Sequence, residues 1–528
     1  MINKYLNKTW MLALGFSALL VSCDLDIEET DSIITEESSG TFTGVPDTEA
    51  AVNDLYNSLR GHLEAQDNYF ALQEVSTDEL LVPTRGTDWG DNGIWRTLHA
   101  HTWSPSHAYV LNVWNQFNQN IFRATEIIDS RSGASPEEAA NAKFVRAYSM
   151  WIILDLYGQV PFREPDEAAD VNPTVLTRAE ALSRVITDLD EAIAALPTAG
   201  PGAGLDRASK AAANFLKARV LLNAHIYDGT GTPSPANMTA VVAAVDAIEA
   251  DGFALQEGFF ELFEADEDAE TIWWVPASTG NNMWNGLHYN QIVSDNTGGG
   301  WNGFSTLAEF YDTFEGSSSS NAAGSDQEER RGFVPTLADA DPETNLGIGF
   351  GFLVGQQVGP AGFDDDGNPT SLVELKDRPG NPLVFTKELP GLVGNNERTG
   401  IRVLKYHPSN GAFAGHKIIF RYADAHLMRA EAMMNGAAGD ALAEVNELRD
   451  LRDASDLSSI SAAEMLNERG RELYMEYIRR TDMIRFGQYG RNWQFKDPGS
   501  VDVAERALYP VPSNALLSNP NLVQNPGY

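Results

Sequence analysis

Two stretches of the sequence set tryptophan among glycine, asparagine and aspartate. The first is Thr84-Arg85-Gly86-Thr87-Asp88-Trp89-Gly90-Asp91-Asn92-Gly93-Ile94-Trp95. The second is Asn281-Asn282-Met283-Trp284-Asn285, followed by Gly298-Gly299-Gly300-Trp301-Asn302-Gly303. Such composition suits saccharide binding. The flat C–H face of a pyranose packs on an indole, and polar neighbours fix the hydroxyls. Turn residues around each indole place it in a loop, where binding side chains concentrate. The expectation is that Trp89 or Trp95 meets Trp284 or Trp301 across one shallow surface, with Arg85, Asp88 and Asn302 contacting hydroxyls. A tryptophan in a loop can equally plug the core beneath it. Trp114, Trp151, Trp273 and Trp274 lie in apolar, periodic contexts and are assigned to the core.

Other residue types could carry different chemistry. Asp78, Glu79, Asp88 and Asp91 put carboxylates near the first tryptophan cluster, as a glycoside hydrolase requires. With 75 acidic residues in the chain, such proximity in sequence carries little weight. Residues 298–303 fit G-x-G-x-x-G, but no βαβ unit frames them and Trp301 would fill the phosphate's place. Asp364, Asp366 and Asn368 could ligate Ca²⁺. Without a bidentate Glu at loop spacing, a solvated hairpin turn is the preferred reading. His99 and His101 lack a third ligand and read as packing or hydrogen-bonding residues, so no metal site or cofactor is expected beyond that weak Ca²⁺ candidate. Walker A, G-x-S-x-G and H-E-x-x-H motifs are absent from the sequence. A further alternative is a helical-repeat adaptor whose exposed aromatics form a protein interface.

These loops need a scaffold. Ser135 with Glu138, Thr177 with Glu180 and Ser461 with Glu464 are capping boxes, and Pro136 occupies a first helical position. The first box predicts a helix to Gly158 that buries Phe144, Tyr148, Trp151 and Ile152. Behind the second, Leu182, Val185, Ile186, Leu189, Ile193 and Leu196 form an amphipathic stripe that stops at Pro197. Further helices are predicted over 207–227, 236–251, 421–435 and 440–452. The third box starts a long helix over 461–487, with Leu466, Leu473, Tyr477 and Ile484 inward. Its charged residues are expected to face out, Glu476 reaching Arg479 and Arg480. Residues 275–420 are rich in turn formers and read as loops and hairpins, with one short helix near 306–314. The fold class is mainly α: divergent tetratricopeptide-like helix pairs with a long loop-rich insertion containing short β-hairpins.

The net charge of −38 argues against a nucleic-acid partner, because phosphate would be repelled. A hydrophobic content of 43% supports a packed core. Cys23 is the only cysteine, so no disulfide forms within the chain. It follows Lys4, Lys8 and an apolar run over 10–21, the layout of a secretory signal peptide. Leu20-Val21-Ser22-Cys23 resembles the lipobox of bacterial lipoproteins, in which the cysteine sulfur is alkylated by diacylglycerol and the chain is cut before it. Acyl chains contributing about 0.8 kcal/mol per buried methylene would anchor the mature protein to the membrane. The acidic run Asp24-Leu25-Asp26-Ile27-Glu28-Glu29 reads as a solvated tether and resembles the surface-export signal of Bacteroidetes-type lipoproteins.

The C-terminal half carries a family signature. Arg421-Tyr422-Ala423-Asp424-Ala425-His426-Leu427-Met428-Arg429-Ala430-Glu431-Ala432 resembles the RYADVLLMYAEA-like motif of SusD/RagB lipoproteins. Glu468-Arg469 with Glu472-Leu473, then Arg480, Asp482 and Arg485, is similar to that family's ERxxEL helix. The terminus, Leu508-Tyr509-Pro510-Val511-Pro512 and Asn519-Pro520-Asn521-Leu522-Val523-Gln524-Asn525-Pro526-Gly527-Tyr528, resembles its PIP and NPNLxQNPGY segments. Leu156-Tyr157-Gly158-Gln159-Val160-Pro161 matches the N-terminal half. His426, Arg429 and Tyr477-Ile478 depart from the common pattern.

The resemblance implies a surface-exposed outer-membrane lipoprotein without catalytic activity. It would bind a glycan, or in the alternative a peptide, and deliver it to a SusC-like TonB-dependent barrel. The expected organisation is a signal peptide over 1–22 and a lipidated tether over 23–46. A helical region over 47–270 and a C-terminal region over 271–528, holding the binding insertion, follow.

Overall fold

Capping fixes where the scaffold helices start. The computed structural model describes residues 42–168, 170–202, 204–263, 267–277, 285–293, 299–317, 327–408 and 415–528. Cys23, the signal-peptide segment and most of the tether lie outside them, as does Trp284. Helices α1 (Thr48–Leu63), α2 (Asn68–Glu74), α3 (Ile94–His99) and α4 (Ala108–Ile128) lead into α5 (Pro136–Tyr157) and α6 (Arg178–Ala195). Two of the three expected capping boxes are complete: Ser135 with Glu138 opens α5, and Thr177 with Glu180 opens α6. Gly158 ends α5 in the left-handed conformation, at φ 70°. Next come α7 (Lys210–Leu222) and α8 (Pro235–Ala250). The helix expected over 207–227 breaks at Asn223, whose Nδ2 donates to the Arg219 carbonyl at 2.8 Å. After the insertion, α9 (Tyr422–Met434), α10 (Ala441–Asp450), α11 (Ala462–Leu473) and α12 (Arg479–Arg485) complete the scaffold. Successive helices pack on one another from α4 to α10, giving the interrupted helix-pair architecture. Among the described residues no helix is long and apolar enough to cross a membrane.

The insertion supplies short antiparallel strands. β1 (Val160–Phe162) pairs with β2 (Thr174–Leu176) beside the helices. β3 (Thr271–Pro276) leaves the scaffold and β7 (His416–Arg421) returns beside it, aligning Trp274 with Ile418. Between them β5 (Phe350–Leu353) is flanked by β4 (Gly332–Phe333) and β6 (Arg402–Leu404). The expected short helix is Ala308–Tyr311. Residues Thr43–Tyr528 form one compact unit. Trp114, Trp151 and Trp273 are buried in its core, and Trp274 is half-buried. Phe420 stacks on Phe215 at 4.3 Å and meets Trp273 at 5.0 Å, tying the insertion's return strand to α7.

The long helix expected over 461–487 is broken, and its charged face is buried. Met475 and Tyr477 have positive φ, 63° and 65°. The amide of Met475 donates to Glu79 Oε1 (2.6 Å) and that of Ile478 to Glu74 Oε1 (2.8 Å), so carboxyl groups from the α2 region replace the helical acceptors. Glu468, Arg469, Glu472, Arg480 and Asp482 are all inaccessible. Glu472 receives Arg421 (2.7 Å), Arg452 (3.2 Å) and Arg330 (3.1 Å). Glu270 joins Arg421 and Arg452, at 3.1 and 2.7 Å. Glu476 pairs with Arg421 and Lys405, not with Arg479 or Arg480. Those arginines reach Asp78 (2.8 Å) and Asp155 (2.6 Å) instead. Glu464, expected to close its capping box, binds Arg471. The extended tail contains the helix Ser513–Ser518, and Asn525 locks it by donating to the carbonyls of Tyr157 (2.9 Å) and Tyr509 (2.7 Å).

The Glu74 and Glu79 carboxyl groups face one another, and Glu74 Oε2 and Glu79 Oε2 have no hydrogen-bond partner among the described residues, an arrangement that calls for a proton shared by the pair. Burial pushes Glu74 up to about 7, and burial followed by the Glu74 charge holds Glu79 well above its ordinary range. A carboxyl group raised by folding contributes stability that is full below its unfolded pKa and lost as pH rises through its folded pKa. The pair's contribution should therefore fall between about pH 4.5 and pH 7. Glu74→Gln can donate from its amide to Glu79 and should lessen that fall. Urea midpoints at pH 5 and pH 8 check this; an equal drop in both proteins refutes the shared proton.

Candidate functional site

Three loop segments from opposite ends of the chain meet beside the helical scaffold. Leu81 bridges Ser305, Thr306 bridges Ile401 and Arg85 bridges Asn395. Thr306 Oγ1 also donates to the Glu79 carbonyl at 2.6 Å. The turn Arg85-Gly86-Thr87-Asp88 is closed by reciprocal backbone bonds of 3.0 and 2.9 Å between Arg85 and Asp88. Trp89 follows, half-buried, and its Nε1 donates to the Trp301 carbonyl at 2.7 Å. Gly303 lies under the Trp89 ring, where a Cβ would stand 2.4 Å from Cζ2, so only glycine allows this contact. A Cβ on Gly300 would sit 2.3 Å from the Leu287 carbonyl, which explains the glycine run as close backbone packing rather than as a phosphate loop.

The structure separates the expected site residues. Trp301 is 59% exposed; its carbonyl accepts from Trp89, and its indole makes no ring contact among the described residues. Trp95 is buried at 6%; it packs edge-on against Trp89 (5.8 Å), Tyr109 (5.3 Å) and Phe304 (5.9 Å), so it supports the surface from below. Arg85 and Asn302, expected at hydroxyls, are buried, and their polar groups are used internally. Arg85 donates from Nε to the Asn302 carbonyl (3.0 Å), from Nη1 to the carbonyls of Asn396 and Thr399 (3.0 and 2.6 Å), and from Nη2 to Ser305 Oγ (2.7 Å). Asn302 Oδ1 accepts from Arg402 Nε at 2.7 Å, and its Nδ2 donates to the Glu397 carbonyl at 3.1 Å. Asp88 remains partly exposed. It accepts from Tyr289 Oη (2.8 Å) and from Arg378 Nη2. Partial burial would raise its pKa, but the bonds from Tyr289 and Arg378 hold the carboxyl below its ordinary range.

Tyr289 and Arg378 were not singled out in the sequence. The Arg378 guanidinium lies over the Tyr289 ring at 3.9 Å and pairs with Glu397 through Nε. His288 bonds Glu397 at 3.1 Å; burial, then the Arg402 charge, push it down to about 4, so it is neutral at pH 7. The only sequence hint was an aromatic next to His288 near the second tryptophan cluster; Arg378 lies 77 positions after Trp301 in a run without aromatic residues.

Of the four hydrolase candidates, Asp78 and Glu79 fail on access, whereas Asp88 is partly exposed and Asp91, which accepts from Trp95 Nε1 at 3.1 Å, is exposed. Asp78 is buried between Arg479 and Arg491, and Glu79 is buried against Met475 and Glu74. His99 hydrogen-bonds the carbonyls of Leu80 and Gln494, and His101 that of Ser76, within the packing. At the Ca²⁺ candidate, Asp364 Oδ1 accepts from the amides of Asp366 (3.0 Å) and Asn368 (2.8 Å), the bonding of a hairpin turn. Among the described residues, three metal-ligand groups converge only at His426, Glu444 and Glu447. There Arg429 donates to Glu444 (2.8 Å) and abuts His426 Nδ1 (3.3 Å), which opposes a cation.

Comparison with known proteins gives the same answer from several directions. Residues 269–528 match the SusD family, and residues 25–222 match a family described as starch-binding, associating with outer membrane. The starch-binding protein SusD of Bacteroides thetaiotaomicron is 26% identical, with 100% of each chain covered. A SusD-like protein from Bacteroides fragilis superposes with a TM-score of 0.67 at 20% identity, covering 93% of this chain and 98% of that one. The surface glycan-binding protein A of Bacteroides thetaiotaomicron, solved with laminarihexaose, gives 0.64 at 15% identity, covering 90% and 98%. The two matched segments account for most of the sequence, the relative aligns from end to end, and the fold is shared: the chain belongs to the SusD/RagB family.

Proposed function

We propose that this protein captures polysaccharide at the outer-membrane surface and passes it to a SusC-like TonB-dependent barrel. The observation that carries the reading is the Trp301 ring, 59% exposed on a loop whose backbone is fixed by Trp89, Arg85 and Arg402. An exposed indole held rigid loses little entropy when a sugar face packs on it. Tyr289, Asp88 and Arg378 bond one another next to Trp89, whose Nε1 holds the Trp301 carbonyl, and they are the hydroxyl partners of this reading. The similarity to a starch-binding protein and to a glycan-binding protein solved with laminarihexaose supports the saccharide class. Binding proceeds without turnover: Asp78 and Glu79 are sealed from solvent, and the accessible Asp88 is tied up by Tyr289 and Arg378. Acyl chains on Cys23 hold the protein at the membrane, and the acidic run after it forms the tether to the cell surface.

The test is affinity electrophoresis of the purified protein through gels containing single polysaccharides, followed by a reducing-end assay on whichever polymer retards it. Retardation without new reducing ends is expected. Steady release of reducing ends would overturn the reading of a pure binder. Failure of every polymer to retard it would overturn the saccharide reading.

A further inference from the structure

The platform sits on an excess of positive charge in a protein whose net charge is −38. Asn302, the residue after the exposed Trp301, is gripped from two sides by guanidinium groups: Arg85 bonds its carbonyl (3.0 Å) and Arg402 its side-chain oxygen (2.7 Å). Both arginines are buried. Among the described residues neither meets a carboxylate; their donors end on neutral oxygens, Arg402 reaching Ser305, Thr399, Gly400 and Glu397 carbonyl or hydroxyl groups. A guanidinium ringed by oxygen acceptors keeps its proton. Burial lowers Arg85 to about 9, still charged at neutral pH, and burial with the Arg85 charge beside it lowers Arg402 well below its ordinary value.

The groups above them do not cancel this charge. Arg378 faces Asp88 and Glu397, and Arg398 faces Asp377 at 3.1 Å. Four guanidinium groups thus stand against three carboxylates in this cluster, and Arg96 and Asp91 of the adjoining loop add one charge of each sign. Exposed Lys376 adjoins Arg378 and Asp377. Buried charge is poorly screened, whereas the acids elsewhere on the surface are attenuated beyond a Debye length of about 8 Å at physiological salt. The local excess therefore governs what the platform meets. Arg378 is its accessible member: its side chain is 49% exposed, its plane is set by Tyr289, and Nη1 has no hydrogen-bond partner among the described residues.

Resting on the reading of Trp301 as a saccharide platform, we propose that the ligand is an anionic polysaccharide, its carboxylate or sulfate received by Arg378 and a neighbouring ring face by Trp301. Uronate and sulfate esters share the required chemistry, a planar or trigonal array of anionic oxygens that a forked donor matches.

The experiment compares retardation of the purified protein in gels of polygalacturonate, dextran sulfate and uncharged dextran, with laminarin as a second neutral polymer. Retention by at least one of the two anionic polymers, at least tenfold stronger than by either neutral one and falling as salt rises, is expected. Arg378→Gln should weaken that retention at least tenfold at unchanged melting temperature, and Arg378→Lys should restore part of it. Polygalacturonate against dextran sulfate distinguishes carboxylate from sulfate. Retention by a neutral polymer that vanishes in Trp301→Ala but ignores Arg378→Gln would overturn this inference and leave the platform standing. Anionic retention indifferent to Arg378→Gln would overturn it as well. Absence of retention on all four polymers, or retention unchanged in Trp301→Ala, would remove the platform itself.

Discussion

Glu472→Gln should weaken the fold by about 3–5 kcal/mol, the range for breaking a buried ion pair from one side. Glu472 is inaccessible and accepts from Arg330, Arg421 and Arg452. Burial alone would raise its pKa, yet Arg452, Arg421 and Arg330 drive it far below the ordinary range. Removing its charge leaves three guanidinium groups to share Glu270, Glu328, Glu468 and Glu476, with no partner at their centre. The neighbouring Glu468 is held down at about 2 by Arg330, Arg471 and Arg449 against burial. Depressed carboxyl groups contribute stability above their unfolded pKa and lose it as pH falls through the folded value, so this network should fail between about pH 4.5 and pH 2. Urea unfolding at pH 7 measures the substitution. A loss below about 1 kcal/mol, typical of exposed pairs, would mean the network is wetter than it stands here.

Trp301→Ala should lower saccharide affinity by about 1–3 kcal/mol, roughly 5- to 150-fold in Kd, as for an aromatic anchor at the centre of a contact. The melting temperature should barely move, because Trp301 is 59% exposed and makes no ring contact among the described residues. Trp95→Ala should do the opposite. Its ring is buried among Trp89, Tyr109 and Phe304, and truncation should destabilise by about 3–5 kcal/mol. Calorimetric titration paired with thermal melts separates the two. If Trp301→Ala melts early while binding persists, the indole belongs to the core and the platform lies elsewhere.

Much of the scaffold is legible in the sequence because it is local. Ser135 with Glu138 and Thr177 with Glu180 cap their helices through groups three residues apart, and the stripe from Leu182 to Leu189 faces inward at helical period. The mainly helical class, the loop-rich insertion and the family follow from such signals. That Trp89 and Trp301 lie in loops is also local, since both sit among turn formers that cannot continue a helix; the bond from Trp89 to the Trp301 carbonyl is tertiary.

What the sequence could not determine is which polar side chains face inward. Glu468, Glu472, Arg479 and Arg480 have the spacing of a solvated helix face, yet they are buried, because their partners Arg330, Asp78 and Asp155 lie 138 to 401 positions away. The same distant contacts broke the long helix, since amides at Met475 and Ile478 found acceptors in Glu79 and Glu74. At the site, Arg85 and Asn302 carry the residue types of ligand contacts but are consumed by hydrogen bonds within the loops, while Tyr289 and Arg378 are left accessible. Charge and hydrogen-bonding capacity belong to the residue; whether water, protein or ligand satisfies them is decided only when distant segments close over it.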